Sequence, residues 1–135
     1  MLTFNFKGKT AIVTGGSKGI GKSIVDTLTN HGCKVVCTSR TNQGNNSAVQ
    51  ALDLNCQQSI ADFTEYVLSM PKIDCFINNA GINIPESIWE MQGTSLASTL
   101  HVNLLGPAAI LQAVAHKMRS QKHGRIVNVA SIAGV

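Results

Sequence analysis

A glycine-rich turn between an apolar run and an amphipathic segment constrains the fold of this chain more than any other feature. Residues 9–14 have the composition of a buried strand, and residues 15–21 follow with the sequence Gly-Gly-Ser-Lys-Gly-Ile-Gly. Residues 20–30 then repeat apolar side chains at helical spacing, namely Ile20, Ile24, Val25 and Leu28. Glycines allow a tight turn and a close approach to a pyrophosphate, and the N–H groups at a helix N-terminus attract an anion. The pattern predicts a phosphate-binding loop between a strand and a helix, and a purely structural turn is the alternative.

Apolar runs alternate with helical periodicity along the rest of the chain, which is typical of βαβ folds. Further strands are predicted at residues 34–39, 48–54, 73–78 and 125–130, and further helices at residues 59–70 and 95–121. Gly32 fits the left-handed position after the first helix. Residues 41–47 are too few for a normal parallel crossover helix, so we expect a loop or a single turn there. Residues 84–91 are expected to form a lid-like segment, with room for one helical turn at residues 87–89.

The β-branched runs 11–13 and 126–127 favour strands that are covered on both faces. Together with the alternation of strands and helices, they predict an α/β fold built on a doubly wound parallel sheet. The expected Rossmann-like strand order is 3-2-1-4-5.

The composition fits one globular domain over residues 1–135. Apolar residues make up 44% of the chain, whereas charged residues make up 13%, about half the usual share of roughly 25%. So low a charge predicts that part of the surface is covered by further chain or by a second subunit. The N-terminus has no secretory signal, and no apolar run approaches the ~20 residues of a membrane span. We therefore expect a soluble cytoplasmic protein.

Neither the cysteines nor the histidines have the spacing of a metal site. No CxxC pair occurs among Cys33, Cys37, Cys56 and Cys75, which lie in or beside apolar runs. We expect them to be small buried hydrophobic residues in a reducing compartment. The four histidines are scattered, so no metal is predicted.

The glycine spacing over residues 15–21 and the sequence Asn78-Asn79-Ala80-Gly81 after the fourth predicted strand resemble the short-chain dehydrogenase/reductase family. The resemblance covers nearly the whole chain, which looks most like the 3-oxoacyl-carrier-protein reductases of that family. It implies an oxidoreductase that transfers a hydride between a nicotinamide cofactor and a carbonyl or alcohol substrate. The residues that it implies for cofactor binding are Gly15, Ser17, Lys18, Gly19, Ile20, Gly21, Asn79, Ala80 and Gly81.

The end of the second predicted strand favours NADP over NAD. NAD-binding members of such folds usually have an acidic residue about twenty positions after the glycine loop, whereas this chain has Arg40 there. Arg40 and Lys18 could bind a ribose 2′-phosphate, and the resemblance associates basic residues at both positions with NADP. A solvated basic pair is the alternative. Asp53 and Leu54 match the family segment whose acidic residue contacts the adenine ring, although Asp53 could instead be a helix N-cap or a loop aspartate.

The resemblance also assigns two catalytic roles. Ser131 matches the serine that orients the substrate carbonyl, and Asn103 matches the helix asparagine that supports a proton relay. The family's Tyr-x-x-x-Lys pair should follow about a dozen residues after Ser131, past the last residue of this sequence. Tyr66, the one tyrosine of the chain, is followed four positions later by Met70 and is expected to be an ordinary helix residue. Because general acid catalysis contributes roughly 10²–10⁴ in rate, we expect the 135 residues alone to be inactive.

Three interpretations follow from these observations. The first is the N-terminal portion of a longer enzyme, in which the C-terminal strands and helices are missing and an apolar stripe on helix 95–121 serves a homo-oligomer. We expect that stripe to consist of Leu104, Ala108, Leu111 and Val114. The second is a truncated, inactive NADP-binding fragment or module. The third, nucleic-acid binding, is disfavoured, because the basic residues from His116 to Arg125 suit a helix C-terminus. No membrane partner is predicted. The identity of the substrate stays open.

Overall fold

The computed structural model describes residues 4–41 and 48–132, which build a five-stranded parallel sheet. Its strands are β1 (Thr10–Val13), β2 (Lys34–Ser39), β3 (Val49–Ala51), β4 (Cys75–Asn78) and β5 (Arg125–Asn128). The order is β3-β2-β1-β4-β5, with every pair parallel, so the predicted topology is confirmed. Strands β1, β3, β4 and β5 are shorter than predicted. A loop was expected at residues 41–47, before β3. Residues 42–47 of it lie outside the described residues.

Successive side chains of β1 point to opposite faces of the sheet. Both faces are therefore apolar, and helices cover each of them. Ala11 and Val13 pack with the helix α1 (Gly19–Asn30), whereas Ile12 packs with α2 (Gln57–Ser69) and with the last helix. The predicted inner residues of α2, namely Ile60, Phe63, Val67 and Met70, are buried. On α1, in contrast, Ile20 is 66% exposed, so its predicted place on the inner face is wrong. It stands in the first turn of α1, directly after the exposed residues Lys18 and Gly19 of the glycine loop.

The helix predicted over residues 95–121 is interrupted. It consists of α3 (Gly93–Leu100), a π-helical segment (His101–Leu105) and α4 (Gly106–Gln121). Pro107 explains the interruption, since it has no N–H to donate to the carbonyl four residues earlier and its ring disfavours a continuous α-helix. Gly106 permits a close approach at the same point: a Cβ there would lie 3.1 Å from the carbonyl oxygen of Leu54.

The apolar stripe expected on this helix is partly wrong. Leu104 is 58% exposed and Ala108 is exposed, but Val114 is buried and Leu111 packs against the core. The reason is that Val114 belongs to a row with Ile110 and Met118, at a spacing of four, which faces the sheet. The exposed apolar surface lies nearer the start of the helical region, on Leu96, Leu100, Leu104 and Leu105.

The helical region Gly93–Gln121 has 29 residues, and an 18-residue window within it has a mean hydropathy of 1.2 and is 33% buried, so by length and composition the region could cross a membrane. Its apolar residues are not contiguous in the sequence, which is why no such run was expected. The inner row of α4 packs in the core, and core helices of soluble proteins meet the same criterion.

Three smaller expectations are also corrected. Ile126 and Val127 are 42% and 47% exposed, because β5 is the last strand of the described sheet and is not covered on both faces. Cys33 and Cys37 are buried as expected, but Cys75 is only half-buried. Cys56 is exposed, because it precedes α2 rather than lying in a strand. Residues 88–90 form a turn rather than helix, with the N–H of Glu90 bonded to the carbonyl of Ser87 at 3.0 Å.

Asp74 lies at the amino ends of the strands, where its side chain is 11% exposed and is surrounded by donors. The N–H of Thr10 donates to its Oδ2 at 2.8 Å, and Lys72 Nζ lies 3.2 Å from the same atom. Lys9 Nζ and His123 Nε2 each lie 3.5 Å from Oδ1. Burial opposes ionisation, but the Thr10 N–H, Lys72 and Lys9 outweigh it and lower the pKa of the carboxyl. The carboxylate therefore joins β1, β4 and the end of α4.

We expect Asp74→Asn to cost about 1–2 kcal/mol of unfolding free energy at pH 7, because the amide keeps the shape and loses the charge. A carboxyl whose pKa is lowered in the folded state stabilises the fold above its unfolded pKa of about 3.9, and this contribution disappears as pH falls through the folded pKa. Urea unfolding between pH 7 and pH 3 should therefore show a smaller acid loss for Asp74→Asn than for the parent chain. Asp26→Asn is the control, since Asp26 pairs with Lys22 on the exposed face of α1 and should change stability by less than about 0.5 kcal/mol. Equal effects of the two substitutions would contradict the assignment.

Candidate cofactor site and active site

The carboxyl ends of the parallel strands meet at one edge of the sheet, and the predicted site residues follow these ends. Thr14 and the glycine loop follow β1, Arg40 follows β2, and Asn79 follows β4. Asp53 follows β3, and Ser131 follows β5 by three residues. Ligands of open α/β sheets bind at this edge, at the point where the strand order reverses. That point is here between β1 and β4.

The hydroxyl group of Thr14 joins the loops that leave β1 and β4. Its Oγ1 accepts the N–H groups of Asn79 and Ala80, each at 3.0 Å, and the Thr14 side chain is buried. The side-chain amide of Asn79 also bonds to the loop after β1: its Nδ2 donates to the carbonyl oxygens of Thr14 at 2.9 Å and Gly15 at 3.3 Å. The two loops are thus held as one unit, which we call the cradle (residues 14–21 and 79–81).

The structure explains why two positions of the cradle are glycine. A Cβ on Gly21 would lie 2.2 Å from the carbonyl oxygen of Gly15 and 2.5 Å from Asn79 Nδ2, so no larger residue fits there. Gly19 has a φ of +57°, and a Cβ there would meet nothing within 4 Å. The cradle is therefore tightly packed on its inner side and open above Gly19.

The N-terminus of α1 begins at Gly19 and carries neither a side-chain cap nor an acidic residue in its first turn. Lys18, Gly19 and Ile20 are exposed there, and Ser17 is half-buried. The helix dipole and the first N–H groups of α1 favour an anion at this end. The open space over Gly19 and the lack of a carboxylate in that turn fit a pyrophosphate.

The end of β2 is attached to the same loop. Thr38 Oγ1 accepts the N–H of Gly15, and its carbonyl oxygen accepts the N–H of Gly16, both at 3.0 Å. Arg40 follows two residues later and is exposed. Because Thr38 is fixed to the loop, the chain brings Arg40 and Lys18 to the same edge as two exposed cations.

Asp53 is a loop aspartate rather than a helix N-cap. Its Oδ1 accepts the N–H of Asn55 at 2.9 Å, and its own N–H donates to Ser59 Oγ at 2.9 Å, whereas the N-cap of α2 is Cys56. The side chain of Leu54 is 5% exposed and packs in the core, so only its backbone is available to a ligand.

Asn103 lies in the π-helical segment and uses its side chain on the loop after β4. Its Oδ1 accepts the N–H of Ile82 and its Nδ2 donates to the carbonyl of Ile82, each at 2.8 Å. A Cβ on Gly81 would lie 3.2 Å from the same Oδ1. The side chain thus fixes the exit of the cradle, and its part in a proton relay stays a prediction.

Ser131 is exposed at the end of the segment that follows β5. That segment is aligned with β4, because the N–H of Val129 donates to the carbonyl of Asn78 at 2.9 Å and Asn78 Nδ2 donates to Asn128 Oδ1 at 3.2 Å. Tyr66, in contrast, lies in the last part of α2, towards the amino edge, with its ring stacked 6.0 Å from that of Phe63. Burial raises the pKa of its hydroxyl. Tyr66 is therefore an ordinary packing residue, as expected.

Sequence reasoning missed the hydroxyl groups of Thr14 and Thr38, which hold the glycine loop. The available signal was their position at strand ends that must be buried, since buried hydroxyls normally find hydrogen-bond partners. Within the described residues no group of three or more metal-ligating side chains occurs.

Comparison with known proteins gives one family. The sequence matches the model of the short chain dehydrogenases over residues 9–135. It is 31% identical to the 3-oxoacyl-[acyl-carrier-protein] reductase FabG of Escherichia coli (strain K12), covering 96% of this chain and 57% of that protein. It is also 31% identical to the 2-dehydro-3-deoxy-D-gluconate 5-dehydrogenase of Bacillus subtilis (strain 168), covering 96% of this chain and 55% of that protein. The chain thus spans little more than half the length of these relatives.

A solved metagenomic short-chain oxidoreductase in complex with NADP has a similar structure, with a TM-score of 0.85 and 31% identity. The match covers 96% of this chain and 64% of that one. A short chain dehydrogenase/reductase family protein gives a TM-score of 0.87 at 29% identity, covering 96% of this chain and 58% of that one.

We expect Thr14→Val to cost about 2–4 kcal/mol, because the N–H groups of Asn79 and Ala80 lose their acceptor while the side-chain volume is kept. Thr14→Ser is the matched control, since it keeps the oxygen and removes only a methyl group, and it should cost about 1 kcal/mol. Urea unfolding of the three chains measures both values. A valine variant as stable as the serine variant would show that the hydroxyl does not hold the cradle.

Proposed function

The chain belongs to the short-chain dehydrogenase family, and we propose that it forms the NADP-binding domain of an oxidoreductase. The proposed reaction transfers a hydride between the nicotinamide and a carbonyl or alcohol substrate, and reduction of a 3-oxoacyl thioester is one form of it. The observation that carries the proposal is the cradle, in which Thr14 joins two loops beside the uncapped N-terminus of α1. The NADP bound to a solved structural relative supports the choice of cofactor.

Each part of the site has a proposed role. The N–H groups of residues 17–20 bind the pyrophosphate, and Arg40 with Lys18 binds the 2′-phosphate. Asp53 and the backbone of Leu54 contact the adenine, and residues 79–81 lie against the ribose. When bound, NADPH supplies the hydride. Ser131 orients the substrate carbonyl, and Asn103 supports the proton relay.

The proposed 2′-phosphate contact predicts the effect of a charge reversal. Arg40→Glu should weaken NADPH binding about tenfold or more and leave NADH binding equal or better, because the carboxylate repels a phosphate and accepts a ribose hydroxyl. Lys34→Glu is the matched control: it makes the same change of charge at the opposite end of β2, where screening should hold the effect below about twofold. Titrations of nicotinamide fluorescence measure all four affinities. If Arg40→Glu weakened NADPH and NADH equally, Arg40 would not select the phosphate.

The 135 residues contain no Tyr-x-x-x-Lys pair, since Tyr66 is followed by Met70 at that spacing. We therefore propose that this chain alone binds NADPH without reducing a carbonyl, because no side chain supplies the proton. NADPH consumption with acetoacetyl thioester should stay at the blank rate under conditions in which the E. coli reductase is active. Turnover by these residues would refute the proposal, and the lack of any NADPH binding would refute the cofactor assignment itself.

We further propose a cytoplasmic homo-oligomer, either a dimer or a tetramer, that assembles through the helical region 95–121. The exposed side chains of Leu104 and Leu105 support this proposal. Neither a nucleic acid nor a membrane is a proposed partner. Two of the basic residues near the end of α4 have local contacts: Lys117 Nζ donates to the carbonyl of Leu68 at 3.0 Å, and His123 Nε2 lies 3.5 Å from Asp74 Oδ1.

A further inference from the structure

A cleft of about 300 Å³ lies between the loop after β4 and the first two turns of α3. Four of its eight lining residues are apolar, namely Ile84, Pro85, Met91 and Leu96, and the other four are polar or charged. Ile84, Met91 and Leu96 are 37%, 39% and 45% exposed, so each has apolar surface that a ligand would remove from water. Pockets for small molecules have this character and volumes of roughly 300–1,000 Å³. The cleft is therefore large enough for a short hydrocarbon chain.

The cleft adjoins the exit of the cradle. Thr99 lines it and lies one turn before Asn103 on the same helical region. Asn103 in turn holds both backbone polar groups of Ile82, and residue 83 is already part of the cleft wall. The loop therefore leads directly from the cradle into the cleft, at the edge of the sheet where Ser131 also lies.

Glu86 is the one charged side chain among the described residues that line the cleft. Its Oε1 accepts the hydroxyl of Ser95 at 2.8 Å, and its Oε2 accepts the N–H of Gln92 at 3.3 Å. Both donors belong to the N-terminal end of α3, whose dipole favours a carboxylate. Glu86 thus attaches the loop to α3 and keeps a negative charge at the wall of the cleft.

We propose that this cleft binds the neutral apolar part of the carbonyl substrate and discriminates against carbonyl compounds that carry a carboxylate or a phosphate. The four apolar residues of the wall favour a hydrocarbon chain, while Glu86 repels an anion in a partly desolvated site. The inference rests on the proposed function, because it concerns the substrate of the same site. Glu86 acts as a positioning residue in it, since it shapes the cleft without touching the reacting atoms.

The single tryptophan of the chain provides the measurement. Trp89 is 91% exposed on the turn between Glu86 and Met91, two residues of the cleft wall. We expect 2-octanone to change the emission of Trp89 with saturation, and 2-oxooctanoate, which has the same chain length and a carboxylate, to bind at least about tenfold more weakly. These titrations use the 135-residue chain without cofactor, and NADPH binding is titrated separately by nicotinamide fluorescence.

Two matched pairs of variants locate the binding. Leu96→Glu should weaken 2-octanone binding about tenfold or more, whereas Leu100→Glu, at a residue as exposed but one turn away from the cleft, should change it less than about twofold. Glu86→Gln should narrow the difference between the two probes, and Glu90→Gln, on the same loop but outside the cleft wall, should leave it unchanged. Far-UV circular dichroism checks folding, and Leu96→Asn replaces Leu96→Glu if the latter is unfolded.

The outcomes separate this inference from the proposed function. Equal affinities for the two probes, no saturation with 2-octanone, or equal effects of Leu96→Glu and Leu100→Glu would overturn the cleft assignment. If NADPH still bound in those cases, the cofactor assignment would stand. Binding of 2-octanone at the cleft without any binding of NADPH would instead overturn the proposed function and leave an apolar site of another kind.

Discussion

The hydrogen bonds from two backbone N–H groups to the hydroxyl of Thr14 are the contact on which the rest of the site depends. In this strand order the chain leaves β1 towards one face of the sheet and leaves β4 towards the other, which opens a crevice between the two loops. Without an acceptor shared across that crevice, the N–H groups of Asn79 and Ala80 would be unsatisfied and the loops would separate. Thr14 supplies the acceptor, and Asn79 then binds the carbonyls of the glycine loop in return. The cradle and the exit held by Asn103 follow from this connection.

The sequence was sufficient to predict the sheet and the composition of its edge. Buried strands such as β1 and β2 are short apolar runs with turn residues after them, and a parallel order leaves few ways to arrange them. Because parallel strands end at one edge, residues that follow those strands had to lie at that edge, as Arg40, Asn79 and Ser131 do. The same reasoning identified the loop and the first turn of α1 without coordinates.

What the sequence could not predict arises where two elements determine a conformation together. The π-helical segment results from Pro107 within a run whose periodicity is otherwise continuous, and from the approach of Gly106 to Leu54. Periodicity alone therefore assigned Val114 to the wrong face. In the same way, the exposure of Ile126 depends on β5 being the last described strand, and the exposure of Ile20 depends on its place in the first turn of α1 beside the glycine loop. The hydrogen bond between Glu86 and Ser95 joins residues nine positions apart. The loop between them has no periodicity, so no sequence pattern indicated this bond.

The carboxylate of Asp74 lies at the edge of the sheet opposite the cradle, where Lys9, Lys72, His123 and the N–H of Thr10 surround it. Of the four contacts between a carboxylate and a basic side chain among the described residues, three are therefore at the edge opposite the cradle. Loops at the ligand edge can accumulate changes during evolution while the opposite edge keeps the strands in register. Because the two edges are separate, the ligands of such a fold can change without a prior increase in its stability.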